Sequence, residues 1–216
     1  MKPIIGIVSS INKDDNSSVI YEDIIKVIEK AEGEPIGLIT RIDDEIGENV
    51  LKQCSGFLFQ GGKDMNTYQF KILDYAYKNK ISIMGICMGF ELIATYFFGY
   101  GSVVRISDLD INTDIDHNKY FEDDFKKQIV HEISINKDSL LNKLFGDKMF
   151  VNSRHVKTIT GVNKPFIISA ISEDGLIEGI ECINEDNFIL GVQFHPENID
   201  SMQPLFNEFI NVCRNR

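Results

Sequence analysis

Cys87 stands in the segment Ile83-Met84-Gly85-Ile86-Cys87-Met88-Gly89-Phe90-Glu91, where an apolar run meets a glycine-flanked turn and then a helix-like stretch. A thiol placed there lies at the top of a buried strand with a helix N-terminus behind it, and that end of a helix favours a thiolate. Gly85 allows close backbone approach, and Gly89 allows tight packing of strand against helix. Far along the chain, the apolar residues 188–194 run into His195-Pro196-Glu197. Pro196 stiffens the link, and a carboxylate beside an imidazole fixes its tautomer and supports its charged form. Thiol, imidazole and carboxylate at strand ends are the parts of cysteine-nucleophile acyl transfer. The leading expectation is a thiol amide hydrolase.

Other residues fit that chemistry less specifically. Gly61-Gly62 closes the strand-like segment Phe57-Leu58-Phe59-Gln60. Read as a plain turn it only ends a strand; read as a site it offers backbone N–H groups to a developing oxyanion, with the Met88 N–H as a second donor. Asp64 either caps the following helix or touches a substrate amine. Cys54, Cys182 and Cys213 have no such surroundings and read as structural cysteines. None of the four cysteines forms a CxxC pair, so neither a zinc knuckle nor a redox dithiol is expected.

The elements that must position these residues follow from hydrophobic patterning. Residues 4–8, 35–39, 57–60 and 81–86 are short, apolar and strand-like, and helical spacing marks 19–31, 46–52, 68–77 and 88–98 between and after them. Within 68–77, Phe70, Leu73 and Tyr77 are expected to face inward, with Ala76 as a further candidate. Such alternation predicts a parallel sheet. From about residue 99 the alternation stops. Residues 130–135, 149–151, 166–171, 177–182 and 188–194 read as strands, the last two as a hairpin across 184–187, and an amphipathic helix closes the chain over 202–213. The expected fold is a three-layer α/β arrangement: an open, mixed, mostly parallel sheet of the flavodoxin-like kind with helices on both faces. An antiparallel elaboration is expected in the second half, within one domain over residues 1–216.

The 216 residues suffice for a core without staples. A net charge of −11 disfavours nonspecific affinity for nucleic acid and for anionic membrane. The acidic stretch 108–124, which contains His117, reads as a solvated loop without ligand spacing compact enough for a metal. The N-terminal apolar run of five residues is too short for a signal peptide, so a cytoplasmic, reduced setting is expected, with no membrane span.

Five segments then carry a resemblance over nearly the whole chain: Phe57-Leu58-Phe59-Gln60-Gly61-Gly62-Lys63-Asp64, Gly85-Ile86-Cys87-Met88-Gly89, Val151-Asn152-Ser153-Arg154-His155, Asp174-Gly175-Leu176-Ile177-Glu178 and Gly191-Val192-Gln193-Phe194-His195-Pro196-Glu197. They resemble class I glutamine amidotransferase-like proteins, and among these most of all the γ-glutamyl-γ-aminobutyrate hydrolase group, peptidase family C26. The resemblance implies Cys87 as nucleophile, His195 as general base and acid, Glu197 as its orienter, Gly62 and Met88 as the oxyanion hole, and Ser153 and His155 on a loop near the substrate. It implies hydrolysis of a small γ-glutamyl amide through a glutamyl thioester, with no cofactor and no metal, and it leaves room for a homodimer.

Two positions depart from the family pattern. Many glutaminase domains have Gln where this chain has Glu91, and hydrolases of the group show Arg where it has Met88. Glu91 either meets a substrate amine or satisfies backbone donors, and in both cases it puts a negative charge near the thiol that raises the thiol pKa. The alternative readings are a glutaminase subunit that delivers ammonia to a partner synthetase, or a non-catalytic binding or regulatory protein. A thiol-sensor or glyoxalase class also uses a cysteine at such an elbow, but it fits His-Pro-Glu poorly.

Overall fold

The structure, a computed structural model of the chain, describes residues 1–215 apart from 13, 16, 40–46, 112, 120–127, 185 and 187. The first half contains β1 (Ile4–Val8), β2 (Ser10–Asn12), β3 (Ser17–Val19), α1 (Glu22–Lys30), β4 (Glu34–Leu38), α2 (Glu48–Leu51), β5 (Gly56–Phe59), α3 (Thr67–Lys78), β6 (Ser82–Ile86) and α4 (Met88–Phe98). The second half adds β7 (Val103–Arg105), β8 (His131–Ile135), α5 (Leu140–Phe145), β9 (Lys148–Val151), β10 (Lys157–Ile159), β11 (Phe166–Ser172), β12 (Ile177–Cys182), β13 (Ile189–Val192) and α6 (Gln203–Arg214).

One nine-stranded sheet runs β4-β1-β5-β6-β13-β12-β11-β8-β9. Its pairs from β4 through β13 are parallel, and those from β13 through β9 are antiparallel. The change of sense falls at β13, which lies beside β6 with Val192 opposite Ile86. The two strands that end at Cys87 and His195 are therefore neighbours, although more than one hundred residues separate them.

The sheet is buried on both faces because its strands alternate between two cores. Leu58 of β5 and Met84 of β6 pack with Ile24, Ile28, Phe206 and Phe209 of α1 and α6. Phe57, Phe59 and Ile83 pack on the other face with Ile72, Leu73, Leu92 and Ile93 of α3 and α4. Helices on both faces of a mixed, mostly parallel sheet, with antiparallel strands later, is the class I glutamine amidotransferase-like, flavodoxin-like topology.

The structure differs from the patterning in several places. Residues 9–18 read as loop, but β2 and β3 pair there as a small hairpin, and α1 starts at Glu22 rather than 19. The buried Gln60 side chain holds this segment, donating to the Val19 carbonyl at 2.6 Å and accepting from the Tyr21 N–H at 3.1 Å. In α3, Asn66 and Gln69 form a reciprocal capping box. Ile72, Leu73 and Ala76 take the inward face, whereas Tyr77 remains 37% exposed and lies edge-on to Phe97. The short helix α5, capped by Ser139, and the β7–β10 pair carry no periodic signal long enough to read. Residue 46 of the expected helix 46–52, residues 112 and 120–124 of the acidic stretch, and 185 and 187 of the expected turn lie outside the described residues. No helix among the described residues is long and apolar enough to cross a membrane.

Candidate active site

The elbow between β6 and α4 is held by two glycines. A Cβ on Gly85 would meet the Gly89 carbonyl oxygen at 2.6 Å, and a Cβ on Gly89 would meet the Phe59 carbonyl oxygen at 2.0 Å. With helix and sheet pressed this closely, the chain turns within one residue, and Cys87 takes φ 51° and ψ −106°. That left-handed conformation costs an L-residue of order 1–3 kcal/mol and persists where the surroundings over-determine it. Cys87→Gly is accordingly expected to be more stable than Cys87→Ala by about 1 kcal/mol, compared by urea denaturation. Equal stabilities would mean that the elbow relaxes at no cost.

His195 follows the end of β13. Asn152, just beyond β9, grips its backbone from both sides, accepting from the His195 N–H at 2.8 Å and donating to its carbonyl at 2.9 Å. The His195 Nδ1 pairs with Glu197 Oε1 at 2.7 Å, which directs Nε2 away from the carboxylate. A cavity of about 260 Å³ opens here. Of the residues expected from sequence, Gly61, Gly62, Cys87, His195 and Glu197 line it. A Cβ on Gly61 would meet His195 Cε1 at 2.8 Å, so only glycine leaves the imidazole its place.

Tyr21, Asp23, Lys63, Arg154 and Asn198 also line the cavity, and sequence reasoning gave them no role. Asn198 joins two of them, accepting from Arg154 Nη2 at 2.5 Å and donating to Asp23 Oδ2 at 3.0 Å. A signal existed for Arg154, which lies inside the quoted Val151–His155 segment. Asp23 and Asn198 are 175 residues apart and had none.

The remaining expected site residues lie elsewhere. Met88 is buried behind Gly62, whose added Cβ would meet Met88 Cε at 3.1 Å. Asp64 is exposed and outside the cavity lining. Glu91 is buried and takes Lys157 Nζ at 3.1 Å. Ser153 and His155 turn into a second, buried polar cluster with His117, His131 and Glu178. Asp174 joins that cluster. Burial raises its carboxyl, but hydrogen bonds from Ser172, Thr113 and His117 outweigh this and hold it at about 2.

These placements correct the expected enzyme. Among the described residues, the compact group of imidazole and carboxylate ligands is His117, His155 and Glu178, and it contains no cysteine. In the cavity, His195 is bonded to Glu197, but no hydrogen bond among the described residues links His195 to Cys87. The thiol is pushed up to about 12, first by burial and then by the charges of Glu91 and Glu197, against smaller opposing effects of the Met88 N–H and Arg154. A cysteine nucleophile already assembled into a catalytic triad is not what the chain presents. The expectation of a free-standing thiol hydrolase of the γ-glutamyl hydrolase or ω-amidase type, working through a thioester on Cys87, is overturned.

Comparison with known proteins agrees with the fold. The family model of Peptidase C26 matches residues 66–197. A Schizosaccharomyces pombe protein that its name places with the glutamine amidotransferases is 35% identical over 149 residues, spanning 66% of this chain and 55% of that protein. CTP synthase of Campylobacter jejuni is 29% identical, over 81% of this chain but 39% of the synthase. The chain thus spans about half or less of these two relatives. The Trypanosoma brucei CTPS glutaminase domain, solved with bound acivicin, superposes with a TM-score of 0.72 over 100% of this chain and 95% of that one, at 16% identity.

Proposed function

The chain belongs to the Peptidase C26 family, within the class I glutamine amidotransferase-like fold, and from that premise we propose that it is a glutaminase-type subunit that supplies ammonia to a synthetase partner. The observation that carries this reading is a cavity that gathers the parts of amide chemistry without closing them. Gly61, Gly62, Cys87, His195 and Glu197 line it, yet burial and the Glu91 and Glu197 charges push the thiol pKa up, and no hydrogen bond among the described residues joins the thiol to the imidazole. A site in this condition does little alone and needs a conformational step to complete it.

In this reading the rim recognises a free amino acid. Asp23, Lys63 and Arg154 offer both signs of charge, as the ammonium and carboxylate of glutamine require. The backbone at Gly61 and Gly62, with the Met88 N–H, faces the amide oxygen. Glu197 orients His195, which carries a proton to the departing ammonia. Docking of the partner completes the site: the hydroxyl of a water adds to the amide carbon as the C–N bond breaks, the water's proton leaves with the nitrogen by way of His195, and the ammonia passes to the partner. The names of the relatives support such a partner: one is a CTP synthase, and one solved neighbour is the glutaminase domain of a CTPS.

The narrower resemblance to γ-glutamyl-γ-aminobutyrate hydrolases has lost its footing. Two of its distinguishing segments, Val151–His155 and Asp174–Glu178, place Ser153, His155, Asp174 and Glu178 in the buried cluster rather than on the cavity wall. One observation favours a second reading, a binding protein without turnover: the thiol sits beside two carboxylates, which oppose its ionisation.

The test is ammonia release from L-glutamine by the chain alone and after addition of synthetases from the same cells, with calorimetry of glutamine binding alongside. Glutamine binding with weak release alone, and at least tenfold more in the complex, is the expected result. Binding without release in either state selects the binding protein. Rapid partner-free cleavage of γ-glutamyl amines, or no glutamine binding at all, sinks the proposal.

A further inference from the structure

Three of the four histidines converge on one buried carboxylate away from the Cys87 cavity. His117, His131, His155 and Glu178 are all at most 4% exposed. Neither Glu178 carboxylate oxygen has a hydrogen-bond partner among the described residues, and the same holds for His131 Nε2 and His155 Nε2. These orphaned atoms face one another. Glu178 Oε1 lies 3.3 Å from His155 Nε2 and 3.7 Å from both His117 Nδ1 and His131 Nε2. A buried carboxylate without hydrogen bonds is costly unless a positive charge meets it.

The outward nitrogens of the rings are engaged in the way that metal-binding histidines require. His117 Nε2 pairs with Asp174 Oδ2 at 2.9 Å, His155 Nδ1 with the Lys157 carbonyl at 2.8 Å, and His131 Nδ1 with the Glu132 carbonyl at 3.2 Å. A carboxylate or carbonyl on one ring nitrogen keeps the N–H there and leaves the lone pair of the other pointing inward. In a four-coordinate zinc site with bonds of about 2.0–2.1 Å, ligand atoms stand roughly 3.3–3.4 Å apart. The ligand atoms of His117, His155 and Glu178 all lie within 4.8 Å of one another, so small side-chain adjustments reach that spacing. Ser153 Oγ, 3.0 Å from His117 Nδ1, gives up that contact when the ring turns to a cation. A separate cavity of about 360 Å³, lined by Ile106, Asp116, His117, Asn118 and His155 among others, provides a way in.

We propose that His117, His155 and Glu178 bind one divalent transition cation of the zinc type, with His131 beside the fourth coordination position. Two imidazole nitrogens and one carboxylate oxygen suit such an ion better than calcium or magnesium, which favour all-oxygen shells. The cation ties the loop at His117 and the segment after β9 to β12. It acts as a staple for the antiparallel half of the molecule, independent of chemistry at Cys87.

The experiment is a titration of chelator-treated full-length protein with cobalt(II) and with zinc, read by visible absorption, metal content per chain and melting temperature. Expected are one equivalent of metal, the visible bands of four-coordinate cobalt without a thiolate charge-transfer band, and a melting temperature that rises with zinc. Glu178→Gln and His117→Asn are expected to lose at least tenfold in affinity, while Cys87→Ala retains it. Should the Glu178 variant fail to fold, His117→Asn on the cavity rim and the wild-type cobalt spectrum decide. No binding to folded wild-type protein, a thiolate band, or undiminished binding in His117→Asn overturns the proposal.

Discussion

Gly89→Ala is expected to cost about 3 kcal/mol or more of folding stability, toward the upper end for overpacked sites. The added Cβ would stand 2.0 Å from the backbone oxygen of Phe59, an atom fixed in the β5–β6 ladder. No rotamer relieves a clash between a Cβ and a backbone oxygen, so α4 must slide off the sheet. That movement loosens Phe90, Leu92 and Ile93, all fully buried on one core face. It also shifts Cys87 relative to Gly61 and His195, so glutamine binding should weaken with stability. Gly101→Ala is the control: a Cβ there meets nothing within 4 Å, and the change should stay within about 0.5 kcal/mol. Urea denaturation of the three proteins measures both effects. A loss below about 1 kcal/mol in Gly89→Ala would show that the elbow does not depend on the glycine contact.

Glu91→Gln is expected to make Cys87 more reactive. After burial, the Glu91 charge is the next largest cause of the high thiol pKa. A like charge near a titrating group shifts it by roughly one unit or more, and removing Glu91 brings the thiol down toward the ordinary cysteine range. A less basic thiolate is also a weaker nucleophile, which takes back about half of the gain on a logarithmic scale. Alkylation of Cys87 by iodoacetamide at pH 8 should therefore speed up by about three- to tenfold, followed by mass mapping of the Cys87 peptide so that Cys54, Cys182 and Cys213 do not interfere. Lys157→Met is expected to act in the opposite direction, because it strips Glu91 of its cation at 3.1 Å. Unchanged reactivity in both variants would mean that burial alone sets the thiol pKa. A slower Glu91→Gln would reverse the sign of the argument.

These two variants act on features that sequence reading reached unequally. The Gly85-Ile86-Cys87-Met88-Gly89 elbow was legible because strand, turn residue and helix start are contiguous, and their local requirements leave few alternatives. Glu91 was legible as a charge near the thiol, but its partner was not. Lys157 lies 66 residues away on β10, a three-residue strand with no periodic signal of its own. The same limit explains the functional error. Cys87, His195 and Glu197 line one cavity, yet residue types and spacing carry no information on whether imidazole and thiol are bonded. Nor do they show that burial raises the thiol pKa.

The sequence by itself determined the alternation of buried strands and amphipathic helices, the elbow at Cys87 and the arrival of His195 at a strand end. Each is a property of a few consecutive residues: β-branched runs, glycine positions and a 3.6-residue repeat. Only the tertiary structure decided which distant segments meet. It set β13 between β6 and β12, put Arg154, Asn198 and Asp23 around one cavity, and drew His117, His131, His155 and Glu178 from four parts of the chain onto a single buried point. Strand order and the burial of both sheet faces select those contacts. Their energies depend on desolvation and on distances of a few ångströms, which no local pattern of residues encodes.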